Sequence, residues 1–175
     1  LEVKVGFEPS SREAFLLLNN ILLVIAAGLI LLGTLYPLIL DAMNMGKISV
    51  GAPYFEMVFV IPMLPLVLCM GVGMHMAWRS ANMRKTLMRL RWPALTAIAI
   101  GLSAMVILAT EFSLLTAVGI VAGLWTIISA AWDPLLKLFG KGSLITLSAL
   151  GMQVAHIGLG LTVIGITVAS SYSIE

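Results

Sequence analysis

The chain has 175 residues, of which 61% are hydrophobic and only 10% are charged, with a formal net charge of +2 and a mean hydropathy of +1.10. Soluble globular domains carry about 25% charged residues, so this composition excludes that class. It predicts an integral membrane protein.

Every charged residue lies outside five apolar runs, whose lengths bracket the roughly 20 residues that a helix needs to cross the hydrocarbon core. Alternating strand patterns of about 10 residues are absent, which favours a helix bundle over an outer-membrane barrel. We therefore predict an all-α, polytopic transmembrane helix bundle that forms one membrane domain over residues 1–175. The spans are expected at residues 14–40, 57–78, 93–110, 112–132 and 143–170.

The lysines and arginines indicate how the bundle is oriented. If the N-terminus is cytoplasmic, nine of the ten fall on the inner side and only Lys47 falls outside. This excess follows the positive-inside rule, so we expect a cytoplasmic N-terminus and an external C-terminus. The basic loop at residues 79–91 could instead bind lipid or nucleic acid. Orientation already accounts for its charge, so no nucleic-acid partner is predicted.

The single cysteine, Cys69, lies within the second run, so the chain by itself has neither a disulfide framework nor a metal–thiolate cluster. We expect it to act as a small buried hydrophobe. The sequence contains no CxxCH motif and is therefore not itself a c-type cytochrome. It begins without an initiator methionine or a signal-peptide pattern and stops where a helix has just emerged, so we expect part of a longer protein.

Capping and helix-breaking residues are expected to delimit the first helix. Ser10 and Glu13 have the spacing of a capping box, in which each side chain satisfies a backbone amide of the other. Pro37 is expected to end the helix, because proline lacks the amide donor that the next turn would need.

Two further patterns concern the outer loop and the fourth helix. Residues 48–55 are expected to fold back on the outer surface as a turn, with Gly51 and Pro53 as the turn formers. Gly119 and Gly123 are spaced to bring a neighbouring helix close to the fourth one.

The last helix differs from the others because His156 lies near the middle of an uncharged run from residue 142 to residue 174. An ionisable side chain at that depth is costly and suggests a functional site. Small residues beside it form a stripe that would admit another helix or a planar ligand. Met152, one turn before His156, is expected to form a polarizable apolar wall beside the ring. Gly160, one turn after it, is expected to leave open space there. The stripe comprises Gly151, Ala155, Gly158, Thr162, Gly165 and Ala169.

The imidazole of His156 can be stabilised by a hydrogen bond across helices or by ligating a metal such as haem iron through a neutral ring nitrogen. The residues alone leave both alternatives open. His75 is expected only about 5 Å from the inner boundary, against roughly 20 Å for His156, by the helical rise. The two histidines are therefore not expected to pair, and His75 is interpreted as an interfacial histidine beside the basic loop.

Four blocks of the sequence resemble, in order, blocks of the CcmF family, the haem lyase component of the system I cytochrome c maturation machinery. They are SREAFLLLNN at 11–20, GTLYPL at 33–38, SVGAPYF at 49–55 and MQVAHIG at 152–158, the last followed by SYSIE at 171–175. In that family the histidine of the last block is an axial ligand of a transmembrane b-type haem. The resemblance therefore implies haem b as the cofactor and His156 as a ligand of its iron.

The resemblance also implies a role in attaching haem covalently to the CxxCH cysteines of apocytochrome c during cytochrome c biogenesis. The implied partners are apocytochrome c, haem and other maturation membrane subunits, including the haem chaperone, in the bacterial inner membrane. The family's tryptophan-rich external segment and its other haem-binding histidines have no counterpart here, and Trp132-Asp133-Pro134 looks like a displaced fragment of that segment. The chain is therefore not expected to be catalytically complete, and no catalytic residue is assigned.

Three alternatives stay open. One is the paralogous haem lyase that serves a nitrite reductase. Another is a haem or small-solute transporter or channel bundle, although the predicted spans lack the charged groups that usually couple or pair with substrates. The third is an assembly scaffold within a larger complex.

Overall fold

A computed structural model of the chain describes residues 8–108, 113–140 and 146–172. These residues contain five α-helices and no β-strand, which confirms the predicted all-α class. Each helix is long and apolar enough to cross a membrane. Which end of the bundle faces the cytoplasm stays a prediction. The helices are α1 (Arg12–Ala42), α2 (Ala52–Gly73), α3 (Met83–Leu108), α4 (Leu114–Phe139) and α5 (Leu147–Tyr172).

The start and end of α1 differ from the prediction. The capping residue is Ser11 rather than Ser10: its buried hydroxyl accepts a hydrogen bond from the backbone N–H of Ala14 at 3.1 Å. The prediction that Pro37 ends the helix is wrong, since α1 continues to Ala42 with Pro37 inside it. Within a membrane no water competes for the backbone groups, so continuing the helix leaves fewer of them unsatisfied.

The outer loop is shorter than expected because α2 starts at Ala52. Gly51 has an extended backbone and precedes the helix, whereas Pro53 lies in the first helical turn, where a missing amide costs nothing. The turn predicted at residues 48–55 is therefore replaced by a helix start. The positive backbone φ angles that a tight turn requires lie earlier, at Asn44 (52°) and Gly46 (103°).

Helix α4 lies at the centre of the bundle and packs against α2, α3 and α5. The predicted close packing of its glycines is confirmed. A Cβ on Gly123 would lie 2.9 Å from the carbonyl oxygen of Gly160 on α5, and one on Gly119 would overlap the side chain of Thr167. On the α2 side, the indole of Trp125 donates a hydrogen bond to the Leu68 carbonyl at 3.0 Å. Small residues thus let these backbones approach closely.

Helix α1 packs only against α2, and no Cα of α1 lies within 8 Å of a Cα of α5 in the described residues. Near the start of α2, the Tyr54 hydroxyl donates to the Leu29 carbonyl of α1 at 2.9 Å, and its ring lies against Gly33. A gap therefore separates α1 from α5, and residues of α2 line it. Leu66 of α2 belongs to the buried cluster behind that gap.

Candidate functional site

The ring of His156 is held by its own helix. Its Nδ1 lies 2.6 Å from the carbonyl oxygen of Met152, one turn earlier. A carbonyl can only accept, so Nδ1 carries the hydrogen and Nε2 keeps a lone pair. This is the arrangement by which proteins fix the tautomer and orientation of a metal-ligating histidine.

His156 lies nearer one end of its helix than predicted. It is the tenth of the 26 residues of α5, about 13 Å from the helix start by the rise per residue. The expected position near mid-depth assumed that the membrane run begins at residue 143, whereas α5 begins at Leu147. The imidazole therefore lies closer to the end of the bundle at which α1 also starts.

The histidine lines a cleft of about 280 Å³ between α1, α2 and α5. The rest of the lining is mainly apolar and contributed by α1 and α2, including Phe15, Leu22, Leu66 and Met70. Aliphatic and thioether walls beside one imidazole suit a large, flat, apolar ligand. A tetrapyrrole is larger than this volume, so the described walls would hold one part of it.

No group of three or more histidine, cysteine or acidic side chains that could hold a metal ion occurs in the described residues. A single imidazole suits a metal that brings its other ligands with it, as the iron of a haem does. The donor set of the cleft therefore fits an axially ligated haem better than a bare ion. Cys69, which we predicted to be buried, is only partly buried and also lines the cleft.

Arg12 lies at the end of this cleft. Its Nη2 is 3.3 Å from the Met152 sulfur across the gap between α1 and α5, and its guanidinium lies 5.6 Å from the centroid of the Trp78 ring. The backbone N–H of Arg12 donates to the Ala77 carbonyl at 2.9 Å. The sequence suggested no site role for this residue, because its partners come from segments far away in the chain.

The predicted stripe of small residues on α5 does not pack within the described chain. A Cβ added at Gly151, Gly158 or Gly165 would meet nothing within 4 Å. The prediction of open space at Gly160 is wrong, because a Cβ there would lie 2.6 Å from the Ile127 side chain of α4. Helix α4 therefore occupies a neighbouring face of α5, and the stripe stays exposed.

His75, which we predicted to be an interfacial histidine beside the basic loop, packs against α4 and joins Arg89 of that loop through Asp133. Its side chain is only 6% exposed, with Nε2 3.0 Å from the Ser129 carbonyl and Nδ1 3.3 Å from Asp133 Oδ2. Arg89 donates to Asp133 Oδ1 at 2.7 Å. The cluster joins α3 and α4 to the residues that follow α2, and both nitrogens of His75 face α4. The Trp132-Asp133-Pro134 motif, to which Asp133 belongs, lies within helix α4.

The comparisons with known proteins give sequence relatives only. No family model matches the chain, and no solved structure matches it. It is 39% identical over 177 residues to the cytochrome c-type biogenesis protein CcmF of Pseudomonas aeruginosa, a match that covers 98% of the chain and 27% of that protein. It is 37% identical over 183 residues to CycK of Rhizobium meliloti, covering 97% of the chain and 26% of that protein.

A third relative is the cytochrome c-type biogenesis protein NrfE of Haemophilus influenzae, which is 32% identical over 184 residues, with 99% of the chain and 27% of that protein covered. All three matches run along nearly the whole chain, while the chain spans only about a quarter of each relative's length. By sequence, the chain therefore belongs to the CcmF family of cytochrome c-type biogenesis proteins.

Proposed function

We propose that the chain is the part of a cytochrome c haem lyase that binds a b-type haem through His156. Relatives named for cytochrome c-type biogenesis support the process. The observation that carries the site is the hydrogen bond from His156 Nδ1 to the Met152 carbonyl, which leaves Nε2 free for iron in an apolar cleft.

Each part of the cleft has a separate task in this proposal. His156 Nε2 gives its lone pair to the iron, and the Met152 carbonyl increases the electron density of the ring by accepting the Nδ1 hydrogen. The apolar walls from α1 and α2 exclude water from the ligand. When bound, haem supplies one-electron iron redox chemistry, whose potential depends on the axial ligands and on burial.

The second axial ligand is proposed to come from a part of the protein outside this chain. Among the described histidines only His75 accompanies His156, and both of its ring nitrogens face acceptors on α4. It has no lone pair to offer a metal in that arrangement. The b-type haem would then sit at a boundary between this five-helix segment and other membrane segments.

The wider role follows from the family. We propose that the haem supports covalent attachment of a second haem to the CxxCH cysteines of apocytochrome c. Apocytochrome c, the haem chaperone and other maturation subunits would be the partners, in the bacterial inner membrane. Five helices of membrane-spanning length support a multi-pass location.

The ligand assignment is tested by the spectrum of the reduced protein. We expect the protein purified from membranes in detergent to show a b-type pyridine haemochrome, and His156→Ala to lose it. His75→Ala is the matched control, because it removes the other imidazole without touching the cleft. A His156→Ala protein with an unchanged haem content and reduced spectrum would show that the assignment is wrong.

A role as the NrfE-type paralogue is the second candidate, since NrfE matches 99% of the chain. The identity to NrfE, 32%, falls within the 31–39% found for the CcmF and CycK relatives, so both types stay candidates on identity alone. Complementation separates the two. We expect the gene to restore haem attachment to an ordinary CxxCH cytochrome in a strain that lacks CcmF, and restoration of only the NrfE-dependent product would favour the paralogue.

A further inference from the structure

Arg12 is a cation that lines the cleft and has no acidic partner among the described residues. A guanidinium has five N–H donors, yet the acceptor that it reaches with its side chain in the described residues is the Met152 sulfur, at 3.3 Å. Thioether sulfur is a weak acceptor. The ion pairs found in the described part of the chain both involve Asp133 of α4, which does not line the cleft. Arg12 therefore has donors left for a ligand.

The guanidinium is held in place before any ligand arrives. It stacks over the Trp78 ring, its backbone N–H is bonded to the Ala77 carbonyl, and the preceding residue, Ser11, is buried. A partly buried charge without a counter-ion is unfavourable, because the protein solvates it less well than water does. A carboxylate from a ligand would offset that cost and form a bidentate pair with the guanidinium.

Arg12 and His156 line the same cleft, with Arg12 toward the end at which α1 begins. Arg12 contacts the side chain of Met152, which precedes His156 by one helical turn, about 6 Å along the axis. Haem carries both of its propionates on one edge of the macrocycle. An iron ligated by His156 would therefore direct that edge along the cleft toward the end of the bundle where α1 begins.

We propose that Arg12 binds a propionate of the haem held at His156 and so fixes which edge of the macrocycle faces the start of α1. This inference rests on the proposed function, since it needs haem in the cleft. It assigns to this residue a binding role that is separate from iron ligation.

The test uses two probes that differ only in their carboxylates: iron protoporphyrin IX and its dimethyl ester. The apoprotein, isolated from membranes of haem-deficient cells, is titrated with each probe, and the dissociation constants are compared. A hydrogen bond to a charged group is worth roughly tenfold or more in affinity, so we expect the wild-type protein to bind the free acid at least about tenfold more tightly. Equal affinities would overturn the proposal without any variant.

Arg12→Gln is expected to bring the ratio of the two dissociation constants close to one, mainly by weakening binding of the free acid. Arg12→Lys keeps the positive charge but lacks the planar fork of guanidinium N–H donors. It should therefore retain part of the preference for the free acid over the ester. The matched control is Arg91→Gln, because Arg91 also stacks on a tryptophan, Trp92, at 5.3 Å, but is exposed and does not line the cleft.

Redox titration gives an independent readout on protein loaded with haem. Removing a cation near the iron favours the more positive, oxidised form, so Arg12→Gln should have a lower midpoint potential and Arg91→Gln an unchanged one. If Arg12→Gln keeps the wild-type ratio of dissociation constants, only the proposed role of Arg12 is refuted. Retention of the b-type spectrum by His156→Ala refutes the proposed haem site itself, so the two failures are distinguishable.

Discussion

At the scale of single residues, the surroundings of the two described histidines assign them different tasks. His156 gives its Nδ1 hydrogen to a carbonyl of its own helix and keeps a free Nε2 at the cleft. His75 faces a carbonyl with Nε2 and a carboxylate with Nδ1, neither of which can donate. Through these two contacts His75 serves as a clamp between the end of α2 and α4.

The clamp predicts an order of stabilities among substitutions. Asp133→Asn takes the carboxylate partner from the nearly buried His75 side chain, and we expect it to lower the free energy of unfolding by about 1–3 kcal/mol. Arg89→Gln should cost less than about 1 kcal/mol, because Arg89 is 56% exposed and its pair with Asp133 is screened by solvent. Denaturant or thermal unfolding in detergent measures both, and a larger effect for Arg89→Gln would contradict the clamp.

At the scale of helices, α5 offers two faces with small residues, and only one is used by α4. Gly160 lies against Ile127 and against the carbonyl oxygen of Gly123, whereas Gly158 has nothing within 4 Å of where a Cβ would be. Two glycines separated by one residue thus differ completely in what a methyl group would meet. The contact with α4, rather than the local sequence, makes the difference.

A pair of alanine substitutions tests this packing. Gly160→Ala places a methyl group 2.6 Å from Ile127 Cγ1 and 2.8 Å from the Gly123 carbonyl oxygen. The Gly123 carbonyl belongs to the backbone of α4 and limits relaxation, so we expect a loss of about 1–3 kcal/mol in the free energy of unfolding. Gly158→Ala should be neutral or stabilising by up to about 1 kcal/mol, as glycine is the poorer helix former. Equal effects of the two variants in thermal unfolding would contradict the α4–α5 interface.

At the scale of the whole molecule, the arrangement of helices makes the cleft. Helix α4 binds α5, α2 binds both α4 and α1, and α1 has no backbone contact with α5 within 8 Å in the described residues. The side-chain bridge from Arg12 to Met152 spans the resulting gap near one end. A ligand in the gap would therefore contact the consecutive helices α1 and α2 together with α5, the last helix of the chain.

This architecture predicts that haem protects Cys69, the chain's only cysteine, which lines the cleft. We expect N-ethylmaleimide to modify Cys69 several-fold more slowly in haem-loaded protein than in apoprotein, because the ligand covers the thiol. Mass spectrometry of the modified peptide gives the rate. In His156→Ala, which should not hold haem, adding haem should leave the rate unchanged. Equal rates with and without haem in the wild-type protein would place the ligand elsewhere.

The sequence by itself determined the number and class of the helices, since runs of apolar residues long enough to cross a membrane need no tertiary information. It also singled out His156, because an imidazole in a long uncharged run is rare. The blocks of resemblance indicated the family that the relatives then showed. Helix ends were less predictable, as Pro37 and Pro53 show.

Only the tertiary structure decided which face of each helix packs and where the cleft lies. In a soluble protein the apolar face of a helix identifies its buried side, but a membrane helix is apolar all round, and close packing of small residues determines the contact instead. The sequence pattern placed Gly158 on the stripe that would admit another helix and left Gly160 in open space, yet α4 packs against Gly160 and not Gly158. Arg12 and His75 likewise acquired their partners from residues distant in the chain, which no local pattern could have indicated.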